Sequence, residues 1–329
     1  MSIRVGINGL GRIGRYFLRL ARTSRALDVR AVNSHGSAES AAHLIQYDSV
    51  HGPLNEEVEA VSEESLKIGT DLIAYSRKDH PETIEWNDVD FILECTGRFK
   101  KKEDLNSHFK NQVKKVIVAA PAEGADFTMV YGVNHESYKP AYKIISNASC
   151  TTNCLAPLAD VIHKAFGVES GYMTTVHAYT SDQKLLDSSH KDLRRARAAG
   201  LSMIPTSTGA VKAIGQIIPD LKGKLKGLAV RVPVSNVSLL ELVLTCQKEV
   251  SLDSLNKILE ESAQGSLKGI LSIEKKPLVS ADFLGASASA VLDQALTQVH
   301  GKTVQVFAWY DNEAGYCHRL LDIMKYIGK

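Results

Sequence analysis

Residues 3–14 read IRVGINGLGRIG, a short β-branched run that leads into glycines at positions 9, 11 and 14. A G-x-G-x-x-G turn between a strand and a helix constrains a chain strongly, because each glycine answers a separate steric demand. Gly9 permits a tight turn, Gly11 lets a pyrophosphate approach the backbone, and Gly14 lets the following helix pack on the strand. The helix that starts at Arg12 then offers unpaired N–H groups and the positive end of its dipole to phosphates. The spacing predicts the first turn of a dinucleotide-binding βαβ unit. An acidic residue is expected about 20 residues past the last glycine, where it would hold the adenosine ribose. The second strand ends AVNSHGS, and Ser34 stands at that position. A serine does not repel a 2′-phosphate, so NADP is admissible beside NAD.

The runs FILECTG, KKVIVAAP and YKIISN continue the first half, separated by helical patterns of the kind seen in RYFLRLAR. Such alternation predicts an α/β fold, a doubly wound parallel sheet of Rossmann type with right-handed crossovers. Several of the runs end in Gly, Asn or Ser, where the ligand crevice of such a sheet lies. Beyond about residue 150 the runs lengthen to GYMTTVHAY, KGLAVRVPV, SLLELVLTCQ and KTVQVFAWYD. Leu240, Leu242, Leu244 and Cys246 alternate with Glu241, Val243 and Thr245, which predicts a sheet with unlike faces. The second half therefore reads as α+β with a mainly antiparallel sheet. Residues 180–203 are polar, basic and without period, which suits a long functional loop. Leu320, Ile323, Met324 and Ile327 fall at helical spacing and predict a final helix.

The chain has 329 residues, 44% of them apolar and 23% charged, enough for two domains of ordinary size. A formal net charge of +2 calls for neither nucleic acid nor a membrane as partner. No run reaches the ~18 to 20 apolar residues needed to cross a bilayer. The arginine-rich opening segment is read as the glycine turn rather than as a transit peptide. The sequence carries no internal repeat and no low-complexity tract. Five irregularly spaced cysteines do not make a disulfide framework, and an odd number suits a reducing compartment, so the cytoplasm is expected.

Two of those cysteines lie in SNASCTTNC, residues 146–154. Leu155, Leu158, Ile162 and Phe166 share one helical face downstream, which makes Ser149 an N-cap and Cys150 a first-turn residue. A thiol at a helix N-terminus is expected to have a lowered pKa, because the dipole and nearby N–H groups favour the thiolate. Cys154 sits one turn deeper, where packing is its expected role. No second Cys/His cluster of ligand spacing accompanies the pair, so no metal site is expected. A nucleophilic Cys150 needs a base, and His177, His163 and His190 are candidates. His177 ends the run GYMTTVH where the chain enters the polar loop. A neutral imidazole there could take the thiol proton and later donate to a developing oxyanion.

INGLGRIGR, SNASCTTNCLAPL, TTVHAYTSDQ, HKDLRRARAA, PTSTGAVKA, VRVPVSNVS and WYDNEAGY occur in this order along essentially the whole chain. Together they closely resemble the phosphorylating glyceraldehyde-3-phosphate dehydrogenase family. The resemblance implies a dinucleotide-binding domain over residues 1–149, completed by a C-terminal helix over 313–329, and a catalytic domain over 150–312. It implies that Cys150 is the nucleophile and His177 its base. The substrates would be glyceraldehyde 3-phosphate and inorganic phosphate, handled through a hemithioacetal and a thioester. Thr180, Asp182 and Arg231 match the pocket for the substrate phosphate. Ser149, Thr151, Arg195, Thr208 and Gly209 match that for the attacking phosphate, and Cys150 itself belongs to the substrate-binding set. Hydroxyls, backbone N–H groups and guanidinium forks are suitable donors to phosphate oxygens. On the cofactor side the resemblance assigns Gly9, Gly11, Arg12, Ile13, Gly14, Ser34 and Arg77 to NAD, with Asn312 at the nicotinamide amide. Residues 180–203 match the S-shaped loop that in a homotetramer reaches a neighbour's cofactor.

The departures from the family pattern bear on the cofactor. Ser34 replaces the aspartate of NAD-specific members, Ser188 and Ser189 replace Leu-Pro or Gly-Pro, and Ala119 replaces a serine often found at the cofactor. The first two resemble the NADP-using branch, so NADP is expected to be accepted as well as NAD. Erythrose-4-phosphate dehydrogenase is the near alternative, but it lacks the threonines matched here by Thr180 and Thr208. A non-catalytic binding protein on the same fold would use basic segments such as HKDLRRAR, which Asp192 interrupts.

Overall fold

The computed structural model describes residues 2–329. The chain divides into two compact units. The first runs through Met129 and adds His135–Ala148 and Cys317–Lys329; the second takes Val130–Asn134 and Ser149–Tyr316.

The first unit is built on strands β1 (Ile3–Asn8), β2 (Leu27–Asn33), β3 (Val58–Ser62), β4 (Ser65–Ile68), β5 (Asp71–Ser76), β6 (Phe91–Glu94), β7 (Lys115–Val118), β8 (Phe127–Thr128) and β9 (Ile144–Ser146). They form one sheet in the order β3-β4-β5-β2-β1-β6-β7-β9-β8. The pairs from β5 to β8 are parallel, whereas β3, β4 and β5 are joined antiparallel. Helix α1 (Arg12–Arg22) buries Phe17 and Leu18, and the central strand buries Val5 and Ile7. The arginines on the other face of α1 are anchored too: Arg19 donates to the carbonyls of Ile45 (3.0 Å) and Gly52 (2.8 Å) beside α2 (Ala38–Gln46). Gly6 has no side chain because Trp86 occupies that space; a Cβ there would lie 2.7 Å from its ring. A short helix α3 (Lys102–Asn106) follows β6.

The second unit holds strands β10 (Val168–Ala178), β11 (Ile204–Thr206), β12 (Leu225–Val232), β13 (Ser238–Cys246), β14 (Leu271–Glu274), β15 (Ala290–His300) and β16 (Thr303–Tyr310), ordered β11-β12-β10-β13-β16-β15-β14. Four of the six pairings are antiparallel, and β10/β12 and β14/β15 are parallel. Leu240, Leu242, Leu244 and Cys246 are fully buried, the inward face that period-2 alternation demands. Helices α4 (Cys150–Phe166), α5 (Ala210–Ile217) and α6 (Leu252–Gln264) pack on this sheet. Helix α7 (Ala314–Ile327) ends the chain. Between β10 and β11 the backbone is irregular, tied by an isolated bridge between Lys184 and Ala198. Among the described residues no helix is long and apolar enough to cross a membrane.

Candidate active site

Ser149 caps α4, its hydroxyl accepting from the Thr152 N–H at 3.1 Å, and Cys150 occupies the first helical position. Strand β10 carries His177 near its end, and the parallel register of β10 with β12 sets His177 beside Arg231. The Cys150 Sγ lies 3.6 Å from His177 Nε2. His177 Nδ1 lies 2.7 Å from the Ala178 carbonyl, which can only accept, and this contact, shorter than the 3.1 Å one to the donor Arg231 Nη1, favours the ring proton on Nδ1. Nε2 then directs its lone pair at the thiol. Arg231 Nη1 reaches the Ala178 carbonyl (3.1 Å) and Thr180 Oγ1 (3.4 Å) and lies 3.1 Å from His177 Nδ1. The Nε of Arg231 is buried without a hydrogen-bond partner.

Electrostatics corrects one expectation. Burial raises the Cys150 pKa, and the fields of Arg231 and the Thr151 N–H only partly offset it. The helix terminus does act on the sulfur, but desolvation of the thiolate outweighs it. Burial also pushes His177 down, with the Arg231 charge second, to about 3. Both partners are therefore neutral at pH 7, a thiol facing an unprotonated imidazole.

A ring of hydroxyls supports the pair from below. The Tyr310 hydroxyl lies 3.0 Å from Thr151 Oγ1 and 2.8 Å from Thr175 Oγ1, and its ring meets the His177 ring edge-on at 6.0 Å. Tyr310 and Thr175 escaped the sequence reading, since only strand register brings them under the imidazole.

The loop residues form a second cluster. Arg195 donates to Asp182 Oδ2 (2.6 Å), Thr206 Oγ1 (2.9 Å) and the Ser207 carbonyl (3.2 Å). Burial opposes ionisation of Asp182, yet Arg195 and His190 hold its pKa below the usual carboxylate range. Asp182 thus orients Arg195 through an ion pair, a different task from donating to a phosphate beside Thr180. Gly209 opens α5, and Thr208 Oγ1 accepts from the Ala210 N–H at 3.3 Å. Asn312 is buried and accepts from Ser238 through Oδ1 at 3.2 Å. Of the alternative bases, His163 accepts from the Val168 N–H and His190 bonds within the loop at Asp192. Neither faces Cys150.

In the first unit the glycine turn leaves a cradle. Gly9 has φ +99°, a Cβ on Gly14 would lie 1.9 Å from the Gly9 carbonyl oxygen, and a Cβ on Gly11 would meet nothing within 4 Å. Gly11 caps α1 without any side-chain hydrogen bond, and Ile13 lies in the first turn of that helix. This geometry fits a dinucleotide pyrophosphate. Arg12 pairs with Asp48 at 2.5 Å; burial opposes the charge on Asp48, but Arg12 and two backbone N–H groups hold its pKa far below the ordinary value. Asn33 fixes the neighbouring corner, donating to Asn8 Oδ1 (2.8 Å) and the Lys78 carbonyl (2.9 Å) and accepting from Ser76 Oγ and Lys78 N (both 2.8 Å). With the Ser34 N–H bonded to the Ser76 carbonyl at 3.0 Å, Ser34 and Arg77 end up at one corner. A buried network completes the sheet end: Glu94 accepts from Asn8 (2.6 Å) and His108 (3.1 Å), and His108 accepts from Trp86 (3.1 Å). All five cysteines are free, and among the described residues no group of three or more His, Cys, Asp or Glu could hold a metal ion.

Comparison with known proteins bears on this arrangement. Residues 3–102 match "Glyceraldehyde 3-phosphate dehydrogenase, NAD binding domain", and residues 149–312 match "Glyceraldehyde 3-phosphate dehydrogenase, C-terminal domain". The glyceraldehyde-3-phosphate dehydrogenase of Geobacillus stearothermophilus is 50% identical over 99% of this chain and 98% of its own length. The chain belongs to the glyceraldehyde-3-phosphate dehydrogenase family. Glyceraldehyde-3-phosphate dehydrogenase 1 of Bacillus subtilis is 48% identical over 100% of this chain and 99% of the relative. The glyceraldehyde-3-phosphate dehydrogenase of Pseudomonas aeruginosa is 48% identical over 98% and 97%. In this family member, Cys150, His177, Arg231 and Thr180 lie together within the second unit, and the glycine turn, Ser34 and Arg77 within the first.

Proposed function

We propose that the chain oxidises D-glyceraldehyde 3-phosphate to 1,3-bisphosphoglycerate with inorganic phosphate as the acyl acceptor. The observation that carries the reading is the Cys150 sulfur facing the unprotonated Nε2 of an imidazole whose other nitrogen is fixed by the Ala178 carbonyl. Cys150 Sγ bonds to the aldehyde carbon as Nε2 takes the thiol proton and passes it to the carbonyl oxygen, which becomes the hemithioacetal hydroxyl and leaves Nε2 unprotonated again, so neither group need carry charge before substrate arrives. When bound, NAD supplies the two-electron acceptor for the carbinol hydrogen. Nε2 takes the hydroxyl proton of the hemithioacetal as that bond oxidises, and the acyl group remains on Cys150 as a thioester. A phosphate oxygen then attacks the thioester carbon, the carbon–sulfur bond breaks, and Cys150 leaves as thiolate. Arg231 and Thr180 bind the substrate phosphate, and Arg195, oriented by Asp182, binds the attacking phosphate with Ser149, Thr151, Thr208 and Gly209.

Residues 1–149 with the C-terminal helix serve as the NAD domain, where the glycine turn holds the pyrophosphate; Asn312 is the residue that binds the nicotinamide amide. NADP is accepted as well; the serine at position 34 and the nearby Arg77 support this. A homotetramer in the cytoplasm is the working state. The exposed loop side chains Leu185, Leu186, Leu193 and Leu201, 72–87% accessible, support contact with another copy.

Absorbance at 340 nm tests the reading with triose phosphate, NAD or NADP, and phosphate present or absent. Reduction that requires phosphate and vanishes in Cys150→Ser is expected. Full turnover by that variant would refute it. A kcat/KM for NAD more than about a thousandfold above that for NADP, roughly 4 kcal/mol, would refute dual cofactor use alone.

A further inference from the structure

One buried hydroxyl joins the strand that carries the base to Asn312. The Ala178 N–H donates to Ser238 Oγ at 3.2 Å, and Ser238 Oγ donates to Asn312 Oδ1 at 3.2 Å. Ser238 opens β13 and is 1% exposed. A serine hydroxyl has one proton and two lone pairs. The Ala178 N–H uses a lone pair, so the proton is satisfied only if Asn312 turns its carbonyl oxygen toward Ser238. The opposite rotamer would aim an amino group at Ser238 and leave the buried hydroxyl proton without this acceptor, an unfavourable arrangement. The backbone around Asn312 is fixed as well. Asp311 Oδ1 accepts from Asn236 Nδ2 (2.9 Å), Glu313 N (2.8 Å) and Ala314 N (2.7 Å), and its Oδ2 accepts from Gly285 N (2.8 Å).

We propose that Ser238 is a positioning residue, which locks the Asn312 amide so that Nδ2 offers N–H donors to the carboxamide oxygen of the nicotinamide and couples that lock to the His177 strand. The inference rests on the nicotinamide-linked dehydrogenase reading above. Ser238 does not itself touch cofactor. It selects which end of Asn312 does, and a carboxamide gripped by its oxygen holds the ring in one rotation.

The test compares NAD with ADP-ribose, which keeps every group of NAD except the nicotinamide, by calorimetry on the full chain. In Ser238→Ala the Kd for NAD should rise about tenfold while that for ADP-ribose stays within about twofold. Ser238→Thr, which keeps the hydroxyl, should restore NAD binding. Asn312→Asp gives a reading independent of the folding of Ser238→Ala: Ser238 still donates to one oxygen, but the outward atom is now an acceptor, so NAD should weaken and ADP-ribose should not. Equal weakening of both ligands in Ser238→Ala, or wild-type NAD affinity in either Ser238→Ala or Asn312→Asp, would overturn the proposal. Failure of the wild-type chain to bind NAD or ADP-ribose would overturn the dehydrogenase reading and the proposal with it.

Discussion

Replacing His177 with Asn should make the protein less sensitive to mild acid, although it removes the proposed base. Burial, assisted by the charge of Arg231, pushes the folded-state imidazole from 6.5 to about 3. The unfolded chain therefore takes up the extra proton first. The stability this neutral ring confers is complete above pH ~6.5, drains away as pH falls, and levels off only near the folded value. At pH 5.5, one unit below the unfolded value, protonation favours the unfolded state about 11-fold, or about 1.4 kcal/mol. At pH 4.5 the factor is about 100, or about 2.7 kcal/mol. Asparagine cannot titrate, and every other group contributes alike to both proteins. Urea unfolding at pH 7.5, 5.5 and 4.5, followed by circular dichroism and fluorescence to check coincidence of the transitions, measures the double difference. Wild type should lose about 1.4 and then 2.7 kcal/mol more than His177→Asn. Parallel pH profiles would mean that burial does not depress the folded-state imidazole, and the argument from burial would fail; a wild type that loses less than His177→Asn between pH 7.5 and 5.5 would mean that the ring is already protonated in the folded state, and the neutral-pair mechanism would fail.

Further outcomes follow from the packing. Tyr310→Phe removes the partner shared by Thr151 and Thr175 and leaves two buried hydroxyls to find others, so thermal unfolding should report a loss of about 1–3 kcal/mol; an unchanged Tm would remove Tyr310 from the supporting network. Gly14→Ala forces a Cβ to 1.9 Å from the Gly9 oxygen and should lower both Tm and ADP-ribose affinity. Gly11→Ala, whose Cβ meets nothing in the protein within 4 Å, should keep its Tm and lose only affinity; equal Tm losses in the two variants would contradict the cradle geometry.

The parts legible in the sequence are those whose cause is local. Strand β13 declared its inward face through Leu240, Leu242 and Leu244, and the glycine turn declared itself through spacing. Strand β3 carries no sequence pattern because Glu59, Ala60 and Val61 are exposed on the sheet edge, and β4, which buries Leu66 and Ile68, is only four residues long, too short for its alternation to stand out. The thiol acidity of Cys150 is not legible for a related reason: a helix dipole is written in neighbouring residues, whereas desolvation comes from distant packing. Tyr310, Thr175 and Ser238 are ordinary strand residues until register places them, and Asp182 reads as a phosphate contact until Arg195 is found upon it. The link between Asn33 and the strand ends likewise needs three segments at once.

That link has a practical side for anyone who tests the proposed role of Ser34 and Arg77 in cofactor choice. The amide of Asn33 clasps the loop at Ser76 and Lys78 while its backbone leads directly into Ser34. Swapping residues at one edge of this clasp will tug on the other, so libraries that vary position 34 and position 77 separately will miss the useful combinations. Pairwise variation with Asn33 left intact is the productive design.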